Sequence, residues 1–285
     1  MLADAIRSET YRLSRNRTAR FWSVLFVPVI SLVLATIGFV VAKANEAKLV
    51  GKLPPELMTG GPLDLGLTLV KSAGDFANPA ILMFVLIGAA TIYAGDYRWE
   101  TWRLISARNT RSNLLAGKVV VTALLIVAAT FAALVSDLIA SLIQAAVFGR
   151  PLTFSMTGAA AADFGLLALT GWARILQFTM LGLLAAVMTR SLLAALFAPL
   201  VIGIGQFFLP QILMPMGVTP DGWLLPLLSP GMATDLLKAV IQGGTAAADL
   251  PDHALLKGVL GLALWIVVPF AAAVAWFNKQ DLSKE

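Results

Sequence analysis

The chain has no cysteine among its 285 residues. Disulfides, thiolate nucleophiles and cysteine-ligated metals are thereby excluded, and cysteine usage says nothing of the redox compartment. Histidine is nearly absent as well: His253, beside Asp252, is the only one. One imidazole without a thiolate argues against a zinc-type centre. A catalytic pair would need a nucleophile held beside it, so His253 reads as a solvated loop residue. Charge is the third scarcity. Asp, Glu, Lys and Arg make up 13% of the chain, against roughly 25% in a soluble domain, while apolar residues reach 59%. So few polar groups cannot cover the surface of a folded chain of this size, and lipid must cover it instead. No G-x-x-x-x-G-K-[ST] loop occurs, since Gly117-Lys118 runs on into Val119; ATP is not bound through that motif.

Long apolar runs are what the sequence has in abundance, each near the ~20 residues that carry a helix across a hydrocarbon core. Lipid-facing backbone must bond within its own segment, which favours helices. The alternating strands of ~10 residues that mark a membrane barrel are missing. Six spans are predicted, at about 21–42, 76–94, 119–148, 164–188, 192–209 and 254–277. Residues 1–285 read as a single transmembrane domain of an all-α integral membrane protein, with no internal repeat and no appended soluble domain. Ala42-Lys43-Ala44 resembles a signal-peptide cleavage site, but the run Phe21–Ala42 exceeds the ~7–15 apolar residues of a signal core. It is expected to stay as span 1.

The connecting segments carry their own signals. Residues 1–20 are basic, with Leu2, Ile6 and Leu13 on one stripe of a helix and Arg7, Tyr11 and Arg15 opposite; an amphipathic surface helix is expected there. Residues 43–75 form a polar loop, in which Leu63–Leu69 suits a short interfacial helix. Residues 210–253 alternate Pro and Gly breaks with apolar pieces, Trp223–Leu228 and Met232–Ile241, each too short to span. Re-entrant or interfacial helices between spans 5 and 6 are predicted, because irregular backbone at that depth must be buried in protein or line a wet cavity. Residues 1–20, 95–118, 189–191 and 278–285 hold 13 of the 21 Lys and Arg, the other loops 7, and Arg174 is the last. That bias puts both termini in the cytoplasm of a multi-pass chain in the cell (inner) membrane. The net charge of +5 is concentrated beside spans and does not indicate nucleic acid.

Two charges fall deep inside spans. Arg174 lies roughly ten residues, or about 15 Å, from the start of span 4, where an arginine in lipid costs about 2.5–3.5 kcal/mol on insertion scales. Asp137 lies near the middle of span 3, and Gln177 is one turn from Arg174. Either Asp137 and Arg174 clasp the two helices together, or the three side chains form a polar wall of a substrate path.

The segment Gly95–Arg111 is the most informative. As a helix it puts Trp99, Trp102 and Arg103 on one face, with Glu100 able to pair with Arg103. Trp anchors at headgroup depth, and Trp with Arg also dominates protein–protein hot spots. Asp96, Thr101, Leu104, Arg111, Gly117 and Lys118, with the closing Phe277-Asn278-Lys279-Gln280-Asp281-Leu282 and the six-span layout, resemble the type 2 ATP-binding-cassette (ABC) export permeases. The likeness covers essentially the whole chain. Departures are Asp96 where Glu is commoner, Glu100 where Gly is commoner before the Thr, and Asn109-Thr110 where Pro often precedes the Arg.

The resemblance implies a permease subunit that pairs with a second copy or a homologue, in the lipid bilayer, to form a path. A separate cytoplasmic ABC ATPase dimer would bind beneath it and carry the ATP-Mg, with no cofactor in this chain. A helix over 97–109 would dock that ATPase through Tyr97, Arg98, Trp99, Glu100, Thr101, Trp102, Arg103 and Arg108. The chain itself would be no enzyme. Two rivals stand beside this expectation: a non-transporting partner that relays ATPase motion to another protein, and a membrane-embedded enzyme acting on lipid. The last would call for clustered His, Asp or Glu at membrane depth, where only Asp137 is offered.

Overall fold

A computed structural model describes residues 2–49, 61–98, 102, 109–243 and 250–280. The chain is all-α, with six helices long and apolar enough to cross a membrane. In chain order the elements are α1 (Leu2–Arg15), α2 (Arg17–Ala44), β1 (Leu63–Asp64), α3 (Leu65–Gly74), α4 (Pro79–Arg98), α5 (Arg111–Phe148), β2 (Leu152–Thr153), α6 (Gly158–Thr189), α7 (Leu192–Leu213), α8 (Leu224–Leu228), α9 (Pro230–Gln242) and α10 (Ala254–Lys279). The spanning helices are α2, α4, α5, α6, α7 and α10. Every expected span is present. Span 2 starts three residues later than expected, at Pro79, and span 3 starts eight residues earlier, at Arg111.

Polar side chains at the helix starts explain most boundaries. Thr110, Thr157 and Ser191 each accept a hydrogen bond from the backbone N–H three residues on, which satisfies one of the orphan amides of a first turn. The turn between α6 and α7 is only Arg190-Ser191: Arg190 ends one helix in the left-handed conformation, φ 56°, and Ser191 caps the next. α5 has 38 residues, about 57 Å at helical rise. It therefore outruns a hydrocarbon core of about 30 Å and projects beyond it.

Burial ranks the helices. In their most apolar windows α6 and α4 are 67% and 61% buried inside the chain, whereas α2 and α7 are 6% and 17% buried. The first pair forms the centre. The second pair leaves rows of large apolar side chains uncovered, among them Leu34, Ile37, Val201 and Phe207, as lipid or a second protein chain requires. α8 and α9 confirm the expectation of short helices between spans 5 and 6, and both pack on α10. Gly261 permits that approach: a side-chain carbon there would stand 2.4 Å from the Pro226 carbonyl oxygen and 2.7 Å from the Ala233 methyl.

α1 differs from a helix merely resting on a surface. It packs along α5, with Ala5 and Glu9 buried while Leu2 is exposed. Gly117 is the reason: a side-chain carbon at 117 would meet the Ala5 methyl at 2.9 Å, so a larger residue would hold α1 off. At the opposite end of the bundle β1 and β2 pair in parallel, Leu63 with Leu152 and Asp64 with Thr153. This bridge joins the two loops that flank α3 and α5.

Candidate functional site

The end of the bundle that carries the α6–α7 turn holds a closed set of charges. Lys118, on the early turns of α5, is 1% exposed. An ammonium group has three protons, and three acceptors surround it: the Ile92 carbonyl at 2.6 Å, Asp96 Oδ2 at 2.6 Å and Glu9 Oε1 at 3.1 Å. The indole of Trp102 covers it, 5.2 Å from Nζ to the ring centre. Arg12 closes the set from the rim, donating to Asp96 Oδ1 at 2.7 Å and Glu9 Oε1 at 3.1 Å. Burial works against the Arg12 charge, but Asp96 and then Glu9 more than offset it and hold Arg12 above the ordinary arginine range. Two acids and two bases leave no net charge, which is what makes burial tolerable. The set bolts α1 to α4 and α5.

A second cluster adjoins it. Arg111, at the start of α5, reaches the carbonyls of Phe277 at 2.8 Å, Asn278 at 3.2 Å and Gln280 at 2.7 Å with one guanidinium nitrogen. It thus covers the orphan carbonyls at the end of α10 and opposes the negative end of that helix dipole. Gln280 then donates to the Val187 carbonyl of α6 at 2.5 Å and accepts from the Tyr97 hydroxyl at 3.2 Å. Trp102 packs between Tyr97, 5.4 Å between ring centres, and Phe277, 4.5 Å.

Of the residues expected to dock an ATPase, Tyr97 and Trp102 are therefore turned into the protein, 8% and 2% exposed. This corrects the expectation that Trp102 presents its ring to an outside partner. The Trp102 ring packs on Phe277 and on the Lys118 cation instead. Arg98 is the last residue of α4. Trp99, Glu100, Thr101, Arg103, Leu104 and Arg108 lie outside the described residues.

The intramembrane clasp is not formed. Asp137 faces α3, where Ser72 and Asp75 stand near it. It opens onto a cavity of about 480 Å³ whose walls include Lys71, Ser141, Gln144 and Asp64. Arg174 instead donates to Gln177, and the acid whose field it feels is Asp235 on α9. Their azimuths around α5 and α6 keep Asp137 and Arg174 apart, one toward α3 and the other toward α9. Gln177 is fully buried beside Arg174.

Sequence reasoning missed the role of Glu9. Its position was informative, because an acid about 40° from the Leu2–Ile6–Leu13 stripe belongs to the buried side of α1. It also missed Lys257, counted with the loops. Lys257 is 3% exposed on α10, donates to the Asp221 carbonyl at 2.5 Å and lies over the Trp223 ring. Among the described residues no three His, Asp or Glu side chains are grouped to hold a metal ion. Compared with known protein families, with characterised proteins and with solved structures, the chain matches none.

Proposed function

We propose that the chain is the membrane subunit of an ATP-driven ABC exporter, paired with a second copy or a homologue above a dimer of separate ATPase subunits. One observation carries the reading. Asp96, Arg111, Gly117, Lys118 and Phe277–Gln280, which bear the resemblance from three distant stretches of sequence, converge on one end of the bundle. They brace both ends of the segment 99–108. Tyr97 and Trp102 are themselves turned inward, so on this reading the contact with a partner falls to Trp99 and Arg103, which lie outside the described residues.

A push on such an element is passed on rather than absorbed, because α1, α4, α5 and α10 are tied there by buried ion pairs and helix-end bonds. α5 is one unbroken helix from this cluster to the Asp137 cavity. ATP-driven closure of the ATPases would shift α5 and its neighbours as a unit and change access to the polar depth of the bundle. The ATPase can bias that change only through contacts that differ between its two states. ATP-Mg is bound and split in the partner, and this chain supplies no step of the hydrolysis.

Purification of the chain from its native membrane in mild detergent, followed by Mg-ATP hydrolysis in the eluate, tests the proposal. The wild type should carry ATPase activity with it. Trp99→Ala with Arg103→Ala should reduce the co-eluting activity about tenfold or more, as expected for loss of two hot-spot side chains, with the thermal midpoint of the chain unchanged. A wild type free of ATPase, or a double variant that retains it all, overturns the reading.

A further inference from the structure

Arg174 and Gln177 stand one turn apart near the middle of α6. A guanidinium can only donate, so Gln177 must offer it the carbonyl oxygen, and Arg174 Nη1 does donate to Gln177 Oε1. This bond turns the Gln177 amide nitrogen away. Gln177 is 0% exposed, yet that nitrogen has no partner among the described residues. Nor does any described carboxylate lie within 4.0 Å of the Arg174 guanidinium; Asp235 acts on it from farther off.

A third polar side chain falls at the same depth. The Phe178 ring packs against Gly203 of α7, and α6 and α7 run antiparallel from the tight turn at Arg190-Ser191. One turn farther from that turn, α6 presents Arg174 and α7 presents Gln206. Gln206 is buried, with neither end of its amide partnered among the described residues, although its backbone carbonyl accepts from the Ser229 hydroxyl at 3.1 Å. A buried amide without a partner weakens the fold, a penalty that an apolar side chain in either place would not carry. A purely structural arginine would have been given a carboxylate at contact distance. The set instead has donors to spare and a positive centre.

We propose that Arg174, Gln177 and Gln206 form a site for the anionic group, a carboxylate or a phosphate, of an amphipathic molecule that enters from the bilayer. The guanidinium and the Gln177 amide nitrogen supply converging donors, with Gln206 completing them from α7. Next to Gln206 on α7, the exposed ring of Phe207 offers apolar surface to its hydrocarbon part. As a statement of cargo class this rests on the exporter reading; as a statement of binding it does not. The Asp235 charge offsets that of Arg174 from a distance and would repel an incoming anion.

The test is equilibrium binding of radiolabelled dodecyl phosphate and dodecanoate to the purified chain in neutral maltoside detergent. A second arm uses nanodiscs with dioleoyl phosphatidic acid or dioleoyl phosphatidylcholine as competitors. One saturable site is expected. Arg174→Gln should weaken it roughly tenfold or more, as for a lost charged hydrogen bond. Gln177→Met should weaken it several-fold, and Asp235→Asn should tighten it. Opposite signs at 174 and 235 would not arise from a general loss of structure, and the variants at 177 and 235 carry the test if Arg174→Gln fails to fold. Competition by phosphatidic acid but not phosphatidylcholine assigns a membrane lipid headgroup; competition by the single-chain anions alone assigns another amphiphile, and both support the site. Equal affinity in all variants, or no saturable binding, overturns it. Since neither ATP nor ATPase enters the assay, its failure leaves the exporter reading standing, and loss of ATPase association leaves the site standing.

Discussion

Lys118 brings three protons to three acceptors in a place water does not reach, and that arithmetic decides what its loss would do. Lys118→Met leaves Asp96 and Glu9 sharing Arg12 alone, so one buried negative charge goes uncompensated. Breaking a buried pair in this way costs about 3–5 kcal/mol, a large share of the 5–15 kcal/mol by which a typical folded protein is stable. The thermal midpoint of the purified chain in detergent should fall accordingly. Arg12→Gln should cost less, because the Arg12 side chain is 41% exposed and solvent screens what it contributes. Replacing Glu9, Arg12, Asp96 and Lys118 together by apolar residues of similar volume should recover most of the loss, since no charge is then stranded. A lysine variant as stable as the wild type would mean that water fills this pocket and that α1 is not bolted down by charge.

At the scale of elements, the loops at the opposite end hang on Asp64. Its carboxylate accepts from the Ser155 hydroxyl and amide, the latter at 3.0 Å, and caps α3 through Gly66 and Leu67. Arg150 ties the same strap to the Gly61 carbonyl at 2.7 Å. The Ser155 bonds, followed by those of Gly66 and Leu67, hold the Asp64 carboxyl below the ordinary 3.8 of an aspartate. A depressed folded value means stabilisation that is complete above the unfolded value and is lost as the pH falls through the folded one. The Ser155 and Gly66 amide proton signals should therefore titrate with a midpoint below 3.8 and stop titrating in Asp64→Asn; a midpoint at or above 3.8 would show the strap to be unpaired. This bridge was not legible in the sequence, because it joins residues some ninety positions apart in loops without a pattern. The spans were legible because apolar runs of membrane length have one cheap solution. The early start of α5 was hidden for a physical reason: Arg111 and Lys118 look like loop charges until α10 supplies carbonyls to one and α1 supplies acids to the other. Asp137 and Arg174 were legible as buried charges but not as partners, since one-dimensional order fixes depth along a span and not the direction a side chain takes around it.

For the whole molecule, the two ends of the bundle differ in a way that orients it. One end has the closed charge set and the clamp on α10; the other has the Asp64 strap and the open polar cavity beside Asp137. α6 joins the two ends through 32 residues, about 48 Å of helix, so residues just beyond its termini stand on opposite membrane faces. Because the chain has no cysteine, single cysteines report sidedness without background. Phe154→Cys, at an exposed position, should react with a membrane-impermeant maleimide in intact cells. Thr189→Cys, exposed at the other end, should react only after the membrane is opened. That outcome puts the Asp96–Lys118 cluster where ATP is, in agreement with the 13 Lys and Arg on the expected inner segments. The reverse pattern would place the braced 99–108 segment outside the cell, beyond the reach of any cytoplasmic ATPase. The exporter reading would then be lost, while the anion site at Arg174, half-way between the two faces, would keep its own test.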